Sequence, residues 1–185
     1  RAAHAGPVQR GRVGAGCGAR CGRLFSLLPH PEGGQDGTSP GGVGSWGLRV
    51  GDVVVAALAV VNCLGAVHDP DSGAWLAGGV DREGRRLPVD TVWRLLERPV
   101  PEGNTVLAVV ATNARLDKTG ANRMARMASV GLGRAIRPAH LTFDGDVVFA
   151  LSRRDGPAVS DDLAGALAAE ALGRAVADAV RRTGG

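Results

Sequence analysis

Two apolar stretches separated by a Gly-Asp pair dominate the first half of the chain. Residues 43–50 and 53–61 are short apolar runs bounded by turn residues, a pattern that predicts two strands. The Gly51-Asp52 pair between them is typical of a tight hairpin turn. The second run is apolar on both faces, so we expect a central strand that is covered on both sides.

A strand–helix–strand–helix order is predicted in the second half. Residues 105–112 and 147–151 are apolar runs that predict strands. Between them, residues 116–136 have apolar side chains at intervals of three and four, the spacing of an amphipathic helix, which Pro138 stops. Ser160, followed by two aspartates, predicts the start of a last helix that reaches about residue 182. This order predicts an α/β layer. The expected core-facing stripes are Ala121, Met124, Ala125, Ala128, Leu132, Ala135 and Ile136 in the first helix and Leu163, Leu167, Ala171, Ala175 and Ala179 in the second.

The remaining segments are predicted to be mostly irregular. Residues 1–45 are rich in glycine and proline and predict turns and loop. Residues 74–104 form a polar connection, with one short helix at 89–96, where a break in the chain costs little. Residues 14–19 match the dinucleotide fingerprint G-x-G-x-x-A, but no strand is predicted before them, so a tight glycine-lined turn is the better interpretation.

Composition narrows the class of protein. With 185 residues and 44% hydrophobic side chains, residues 1–185 fit one domain with a sizeable core. The longest apolar run is too short to span a membrane. The net charge of +4 comes almost entirely from arginine, and no basic run or aromatic platform accompanies it, so we expect no nucleic-acid partner. Three cysteines without metal spacing predict free thiols in a reducing compartment such as the cytoplasm, and neither a metal nor a cofactor is expected.

Thr105 is the candidate nucleophile, because it stands where a Gly-Asn loop becomes an apolar strand. If the bond between Asn104 and Thr105 is cut, the freed α-amine, with a pKa near ~8, can act as the general base for the threonine hydroxyl. The cut requires the hydroxyl to attack the Asn104 carbonyl, and strain in the Gly-Asn turn would assist it. The oxyanion needs donors, for which the Asn62 amide or nearby backbone N–H groups are candidates.

Three other polar residues have both an ordinary and a catalytic interpretation. Asn62 follows the second strand and is either a turn residue or an amide that faces the reaction centre. Asp144 and Asp146 flank a glycine before the strand at 147–151 and taken alone form an ordinary Asp-Gly turn. If that strand lies beside the Thr105 strand, their carboxylates would hydrogen-bond the Thr105 hydroxyl and ammonium.

Five segments in the same order resemble the DmpA-type peptidases. This family comprises L-aminopeptidase/D-amidase-esterases, β-peptidyl aminopeptidases and nylon-oligomer endohydrolases. The similar segments are Val-Gly-Ala-Gly-Cys-Gly-Ala at 13–19, Val-Val-Asn-Cys-Leu-Gly at 60–65, Asn-Thr-Val-Leu-Ala-Val-Val-Ala-Thr-Asn-Ala at 104–114, Met-Ala-Ser-Val-Gly-Leu-Gly-Arg-Ala-Ile-Arg-Pro at 127–138 and Phe-Asp-Gly-Asp-Val-Val-Phe-Ala-Leu at 143–151.

The resemblance implies an autoproteolytic N-terminal-nucleophile hydrolase with an α/β/β/α sandwich fold. By motif, Thr105 is the nucleophile, the cut separates residues 1–104 from 105–185, and the two pieces stay associated. Asn62 would help to hold the reacting oxygen, and Asp144 and Asp146 match the acidic pair of the nylon-hydrolase branch. The implied substrates are small peptides or amides, and the implied assembly is a homo-oligomer of processed heterodimers.

The chain also departs from that family. A lysine of the nylon hydrolases would align near Ser39 or Pro40, and Cys17 replaces a threonine of the glycine-rich turn. A long upstream segment that lines the family's active site has no counterpart, which predicts an N-terminally truncated form. The main alternative is therefore an unprocessed, non-catalytic remnant of the fold that packs against or binds a partner. A third is a module that binds a phosphate at the turn of residues 14–19.

Overall fold

The computed structural model describes residues 6–28, 37–81, 83–88, 90–99, 103–153 and 155–183. Two short 3₁₀ helices, Gly14–Gly16 and Arg23–Leu27, lie near the start of the chain. The other elements are, in order, β1 (Arg20–Cys21), β2 (Ser39–Pro40), β3 (Gly42–Val50), β4 (Val53–Asn62), β5 (Ala66–His68), β6 (Trp75–Ala77), α1 (Asp90–Leu95), β7 (Thr105–Thr112), α2 (Lys118–Ala135), β8 (Ile136–Arg137), β9 (Val147–Ser152) and α3 (Asp161–Arg181).

The main sheet has the order β3-β4-β7-β9. Strands β3 and β4 form the predicted hairpin around Gly51-Asp52, and β4 pairs antiparallel with β7. Strand β9 pairs parallel with β7 after the crossover through α2. The four predicted strands and the α/β class are confirmed, as is the expectation that the strand after Asp146 lies beside the Thr105 strand.

Helices α2 and α3 pack together on one face of this sheet, and small residues allow their close approach. A Cβ added to Gly131 of α2 would lie 2.2 Å from the Ala169 carbonyl oxygen, and one added to Gly165 would lie 2.3 Å from Met127 Sδ. The core between the helices and the sheet is built from valine, alanine, leucine and one methionine. This composition suits a chain with 3% aromatic residues, because small side chains let helices and sheet pack at close range.

The opposite face of the sheet is exposed and apolar, which corrects the expectation for β4. Burial alternates along β4, so only one of its faces is covered by the described residues. Four large side chains lie on the open face at 38 to 59% exposure, namely Leu58, Leu107, Phe149 and Leu151. The apolar run of residues 53–61 predicted cover on both sides, and both packed helices lie on the same side.

The helices begin and end close to the predicted positions. Asp117 caps α2, because its carboxylate accepts the Gly120 N–H at 2.7 Å, and Ser160 caps α3 by accepting the Leu163 N–H. The predicted core-facing position of Leu163 is wrong. Leu163 is exposed, because the face of α3 that packs on the core carries Ala164 and Ala168 instead. The predicted start of the short helix at residue 89 lies outside the described residues. The half-buried members of the predicted stripes are Ala121, Ala125 and Leu167.

The glycine-rich segment forms a tight turn, as predicted. Gly14 has φ 51°, a conformation that glycine adopts readily, and the segment continues as one turn of 3₁₀ helix. A dinucleotide fingerprint requires a strand before the glycines and a long helix after them. Within the described residues, no strand occurs in 6–13 and no long helix follows, so the turn does not have that context.

A second, smaller sheet has the order β6-β5-β8. The three cysteines form no disulfide, and within the described ranges no helix is long and apolar enough to cross a membrane.

Candidate active site

Thr105 lies at the edge of the sheet where three segments meet. It is the first residue of β7, and in the antiparallel register it is the partner of Asn62, the last residue of β4. Because β9 runs parallel to β7, the turn before Val147 arrives at the same edge. The sheet topology therefore brings together Thr105, Asn62 and the turn that holds Asp144 and Asp146.

The carbonyl oxygen of Asn104 accepts two hydrogen bonds. The Thr105 hydroxyl donates to it at 2.5 Å, and the backbone N–H of Gly145 donates to it at 3.0 Å. A Cβ on Gly145 would lie 2.6 Å from Thr105 Oγ1, so only glycine fits here without a shift. The Thr105 hydroxyl and a backbone N–H therefore contact the same carbonyl oxygen, and this N–H is one of the backbone donors that the sequence left unidentified.

The predicted strain in the Gly-Asn turn is not visible in the backbone. Gly103 has φ 82°, in the left-handed region, but glycine adopts this conformation at little cost. Asn104 is buried, with 2% of its surface exposed. The structure thus holds the Asn104 carbonyl by burial and by the Gly145 N–H rather than by a strained residue.

Asn62 connects the glycine-rich turn to the segment before Thr105. Its side-chain oxygen accepts the Arg20 N–H at 3.1 Å, and its side-chain N–H donates to the Gly103 carbonyl oxygen at 3.0 Å. The amide thus contacts the carbonyl one residue before Asn104, so with the peptide bond intact it positions the loop and does not bind the reacting oxygen.

Asp146 holds the backbone of β7 next to the nucleophile. Its Oδ1 accepts the Val106 N–H at 2.8 Å, and its Oδ2 lies 3.5 Å from His140 Nδ1. The expected hydrogen bond from the Thr105 hydroxyl to a carboxylate does not occur among the described residues, because that hydroxyl donates to Asn104. The expected ammonium contact requires an amine that the intact bond does not provide.

Asp144 is half-buried in the same turn and accepts a backbone hydrogen bond. Its Oδ2 accepts the Leu141 N–H at 2.9 Å. Burial and, to a smaller extent, the charge of Asp146 raise the pKa of the Asp144 carboxyl above the ordinary value of 3.8, although the Leu141 N–H and His140 act in the opposite direction. Two neighbouring carboxyls in unlike surroundings are suited to hold a proton on one of them.

His140 is a site residue that the sequence analysis missed. It has φ 56°, which is uncommon outside glycine, and its ring lies between Asp146 and the Ser129 carbonyl oxygen, 3.0 Å from Nε2. Six positions separate His140 from Asp146, a spacing that matches no metal or triad pattern. Only the fold of the turn brings the two side chains together.

A cavity of about 330 Å³ opens in front of Thr105. Its polar groups come from Thr105, Asn62 and Arg23, and its walls are formed by the small or apolar residues Ala15, Gly18, Ala19, Val60 and Leu107. The glycine-rich turn thus lines the space where a substrate would meet the nucleophile. A larger cavity of about 710 Å³ lies near the start of α2 and holds none of the predicted site residues. No cluster of metal-ligating side chains occurs in the described part of the chain.

The fold is that of the N-terminal-nucleophile hydrolases. A solved structure of the L-aminopeptidase D-Ala-esterase/amidase of Ochrobactrum anthropi, described as a variant of that fold, superposes with a TM-score of 0.60 at 21% identity, over 97% of this chain and 47% of that one. The family model for peptidase family S58 matches residues 1–183. The chain belongs to peptidase family S58, and the resemblance to DmpA-type peptidases is confirmed.

Relatives of known sequence or structure are longer than this chain. An uncharacterized aminopeptidase of Mycobacterium leprae is 37% identical over 78% of this chain and 37% of its own length. A 6-aminohexanoate-oligomer endohydrolase of Agromyces is 30% identical over 94% of this chain and 51% of its own length. A β-aminopeptidase of Burkholderia superposes with a TM-score of 0.59 at 25% identity, over 95% of this chain and 47% of that one. The chain thus spans about half of the length of these relatives or less.

Proposed function

We propose that this chain cleaves its own peptide bond between Asn104 and Thr105, and that Thr105 then acts as the N-terminal nucleophile of an amide hydrolase. The observation that supports this most is the pair of hydrogen bonds on the Asn104 carbonyl oxygen, one from the Thr105 hydroxyl and one from the Gly145 N–H. A nucleophile and an oxyanion donor on one carbonyl are the arrangement that acyl transfer requires.

Self-cleavage proceeds through an ester. The Thr105 hydroxyl oxygen forms a bond to the Asn104 carbonyl carbon, and negative charge develops on the oxygen that accepts the Gly145 N–H. The bond from that carbon to the Thr105 nitrogen breaks, and the nitrogen gains the proton that the hydroxyl lost. Water then hydrolyses the ester, which leaves a carboxylate on Asn104 and a free amine on Thr105. The products are residues 1–104 and 105–185.

Substrate hydrolysis repeats the same chemistry on an external amide. The new α-amine of Thr105 accepts the hydroxyl proton while the oxygen attacks the substrate carbonyl carbon. The substrate amine leaves with a proton, and water releases the acyl group. The relatives named aminopeptidase and 6-aminohexanoate-oligomer endohydrolase support this class of reaction, and the cavity of about 330 Å³ suits small peptides or amino-acid amides.

The other site residues take supporting roles. Cleavage turns Gly103 and Asn104 into a chain end that is free to move, which releases the Asn62 side-chain N–H to bind the substrate oxygen. Asp146 fixes the backbone beside Thr105 through the Val106 N–H. Burial raises the pKa of Asp144, which lies at the same edge of the sheet, so its carboxyl can exchange a proton there.

Intact-mass measurement of the purified protein tests the proposal. We expect two masses, for residues 1–104 and 105–185, and a single full-length mass for Thr105→Ala. Thr119→Ala, which removes a hydroxyl from an exposed position of α2, is the matched control and should yield both fragments. A wild-type chain that stays whole on prolonged incubation would refute the proposal.

The alternative function is a non-catalytic packing or binding module. The exposed apolar face formed by Leu58, Leu107, Phe149 and Leu151 favours it, because apolar surface of this kind commonly marks a contact with another polypeptide. An intact chain without amide hydrolysis in the mass experiment would favour this alternative.

A further inference from the structure

Of the described residues that line the cavity in front of Thr105, Arg23 is the charged one. Its backbone is fixed beside the site, because its N–H donates to the Cys63 carbonyl oxygen at 3.3 Å and its own carbonyl accepts the Ser26 hydroxyl at 2.8 Å. Cys63 directly follows Asn62, so Arg23 is held on the same wall as the Asn62 amide. The backbone of Arg23 is therefore fixed close to Asn62, from where its side chain lines the cavity in front of Thr105.

The Arg23 guanidinium lacks a partner within the described residues. Its Nε is buried without a hydrogen bond, and no carboxylate of this part of the chain lies within ion-pair distance. Arg174 and Arg181, by comparison, each form an ion pair with an aspartate of the turn after β5. A guanidinium that lines a cavity and has no ion-pair partner among the described residues is available to an anionic ligand, because a charge-assisted hydrogen bond would stabilise the complex.

The chemistry of such an acceptor follows from the guanidinium. Its planar fork of N–H donors matches a carboxylate, and charge-assisted hydrogen bonds of this kind are roughly twice as strong as neutral ones. Among the residues that the structure describes, no acidic side chain lines the cavity, so an anionic ligand is the complementary partner for Arg23. A peptide of two residues spans about 7 Å when extended, a length suited to a cavity of about 330 Å³ that also contains Thr105.

We propose that Arg23 binds the free carboxylate of a short substrate whose scissile carbonyl lies against Thr105. The site then selects dipeptides and short amino-acid oligomers that end in a carboxylate over the same molecules that end in an amide. The effect of Arg23 on hydrolysis rests on the proposed function, but the binding of the carboxylate does not depend on self-cleavage.

Binding to the uncleaved chain tests the assignment directly. The probes are glycylglycine and glycylglycinamide, an achiral pair that differs only at the terminal carboxyl group. In the Thr105→Ala chain we expect glycylglycine to bind about 10- to 100-fold more tightly by calorimetric titration, as a charge-assisted pair implies. Arg23→Gln in that background should remove the preference, and Arg23→Lys, which keeps the charge but not the fork, should retain part of it.

Hydrolysis by the processed chain supplies a second readout. Arg23→Gln should raise KM for glycylglycine by the same factor, with little change in kcat and none in the hydrolysis of glycylglycinamide. Arg126→Gln, which removes the same charge from an exposed position of α2, is the matched control and should change neither. Thermal melting of each variant shows whether it is folded.

The outcomes separate this assignment from the proposed function. Equal binding of the two peptides, no binding of glycylglycine, or a preference that survives Arg23→Gln in a folded chain would overturn the role of Arg23. The opposite result is also distinguishable. If the carboxylate preference is present and depends on Arg23 but the wild-type chain does not cleave itself, the proposed function is refuted and the assignment of the binding site stands.

Discussion

Replacing Gly145 by alanine perturbs the contact between the nucleophile and the bond that it attacks. The new Cβ would lie 2.6 Å from Thr105 Oγ1 and 3.4 Å from the Asn104 carbonyl oxygen. Gly145 is not among the residues with positive φ, so alanine is compatible with its backbone conformation. The substitution therefore acts through this one contact and leaves the fold of the turn otherwise undisturbed.

The expected size of the effect follows from the missing distance. An ordinary contact begins near 3.4 Å, so the hydroxyl or the Gly145 backbone must move by about 0.8 Å (3.4 − 2.6). A misplacement of about 1 Å costs on the order of 10²-fold in rate, and the loss of one oxyanion donor costs about 10²- to 10³-fold. We therefore expect self-cleavage of Gly145→Ala to be slower by about 10²-fold or more.

The rate of fragment formation after cell-free synthesis measures this effect. Samples taken over time are separated by mass, and the full-length chain and the two fragments are quantified. The matched control is Gly133→Ala in α2, where a Cβ meets no atom within 4 Å; alanine there should leave the rate unchanged and stabilise the helix by up to ~1 kcal/mol. Cleavage of a folded Gly145→Ala chain at the wild-type rate would refute the role given to the Gly145 contact.

Two further predictions concern stability, both measured by urea unfolding in the Thr105→Ala chain so that processing does not vary. The pKa of Asp144 is raised in the folded state, so the protonated carboxyl stabilises the fold at pH below its ordinary value of 3.8, and this contribution is lost as pH rises through the folded pKa. Asp144→Asn, which mimics the protonated form, should thus gain stability relative to the chain with Asp144 as pH rises. A difference in unfolding free energy between the two chains that does not vary with pH would contradict the raised pKa of Asp144. Leu132→Ala, in the core, should cost about 2–5 kcal/mol. Leu151→Ala, on the exposed face, should cost far less, and equal costs would mean that another layer covers that face.

The predicted and observed sites differ in their contacts more than in their members. Thr105, Asn62, Asp144 and Asp146 do meet at one edge of the sheet, because β4 ends there and the adjacent strands β7 and β9 begin there. Their hydrogen bonds were predicted less well. The backbone donor to the Asn104 carbonyl oxygen is the N–H of Gly145, and backbone donors leave no mark on a sequence because every residue except proline has one.

The sequence by itself determined the strands at residues 43–50, 53–61 and 105–112 and the two long helices. The spacing of apolar residues shows which side chains of a segment face the core and which face solvent, and this spacing is a local property of the chain. It did not decide that β4 has one open face or that Leu163 is exposed, because these depend on where the packing partners lie.

Only the tertiary structure placed Arg23 and His140 in the site. Arg23 lies more than eighty positions before Thr105, and neither residue belongs to a spacing that indicates chemistry. Arg23 lines the cavity in front of Thr105 because its N–H binds the Cys63 carbonyl oxygen directly after β4, and His140 lies beside Asp146 because the turn between β8 and β9 folds back on itself. Contacts between segments so distant in the chain depend on the packing of the whole core, and no local pattern records them.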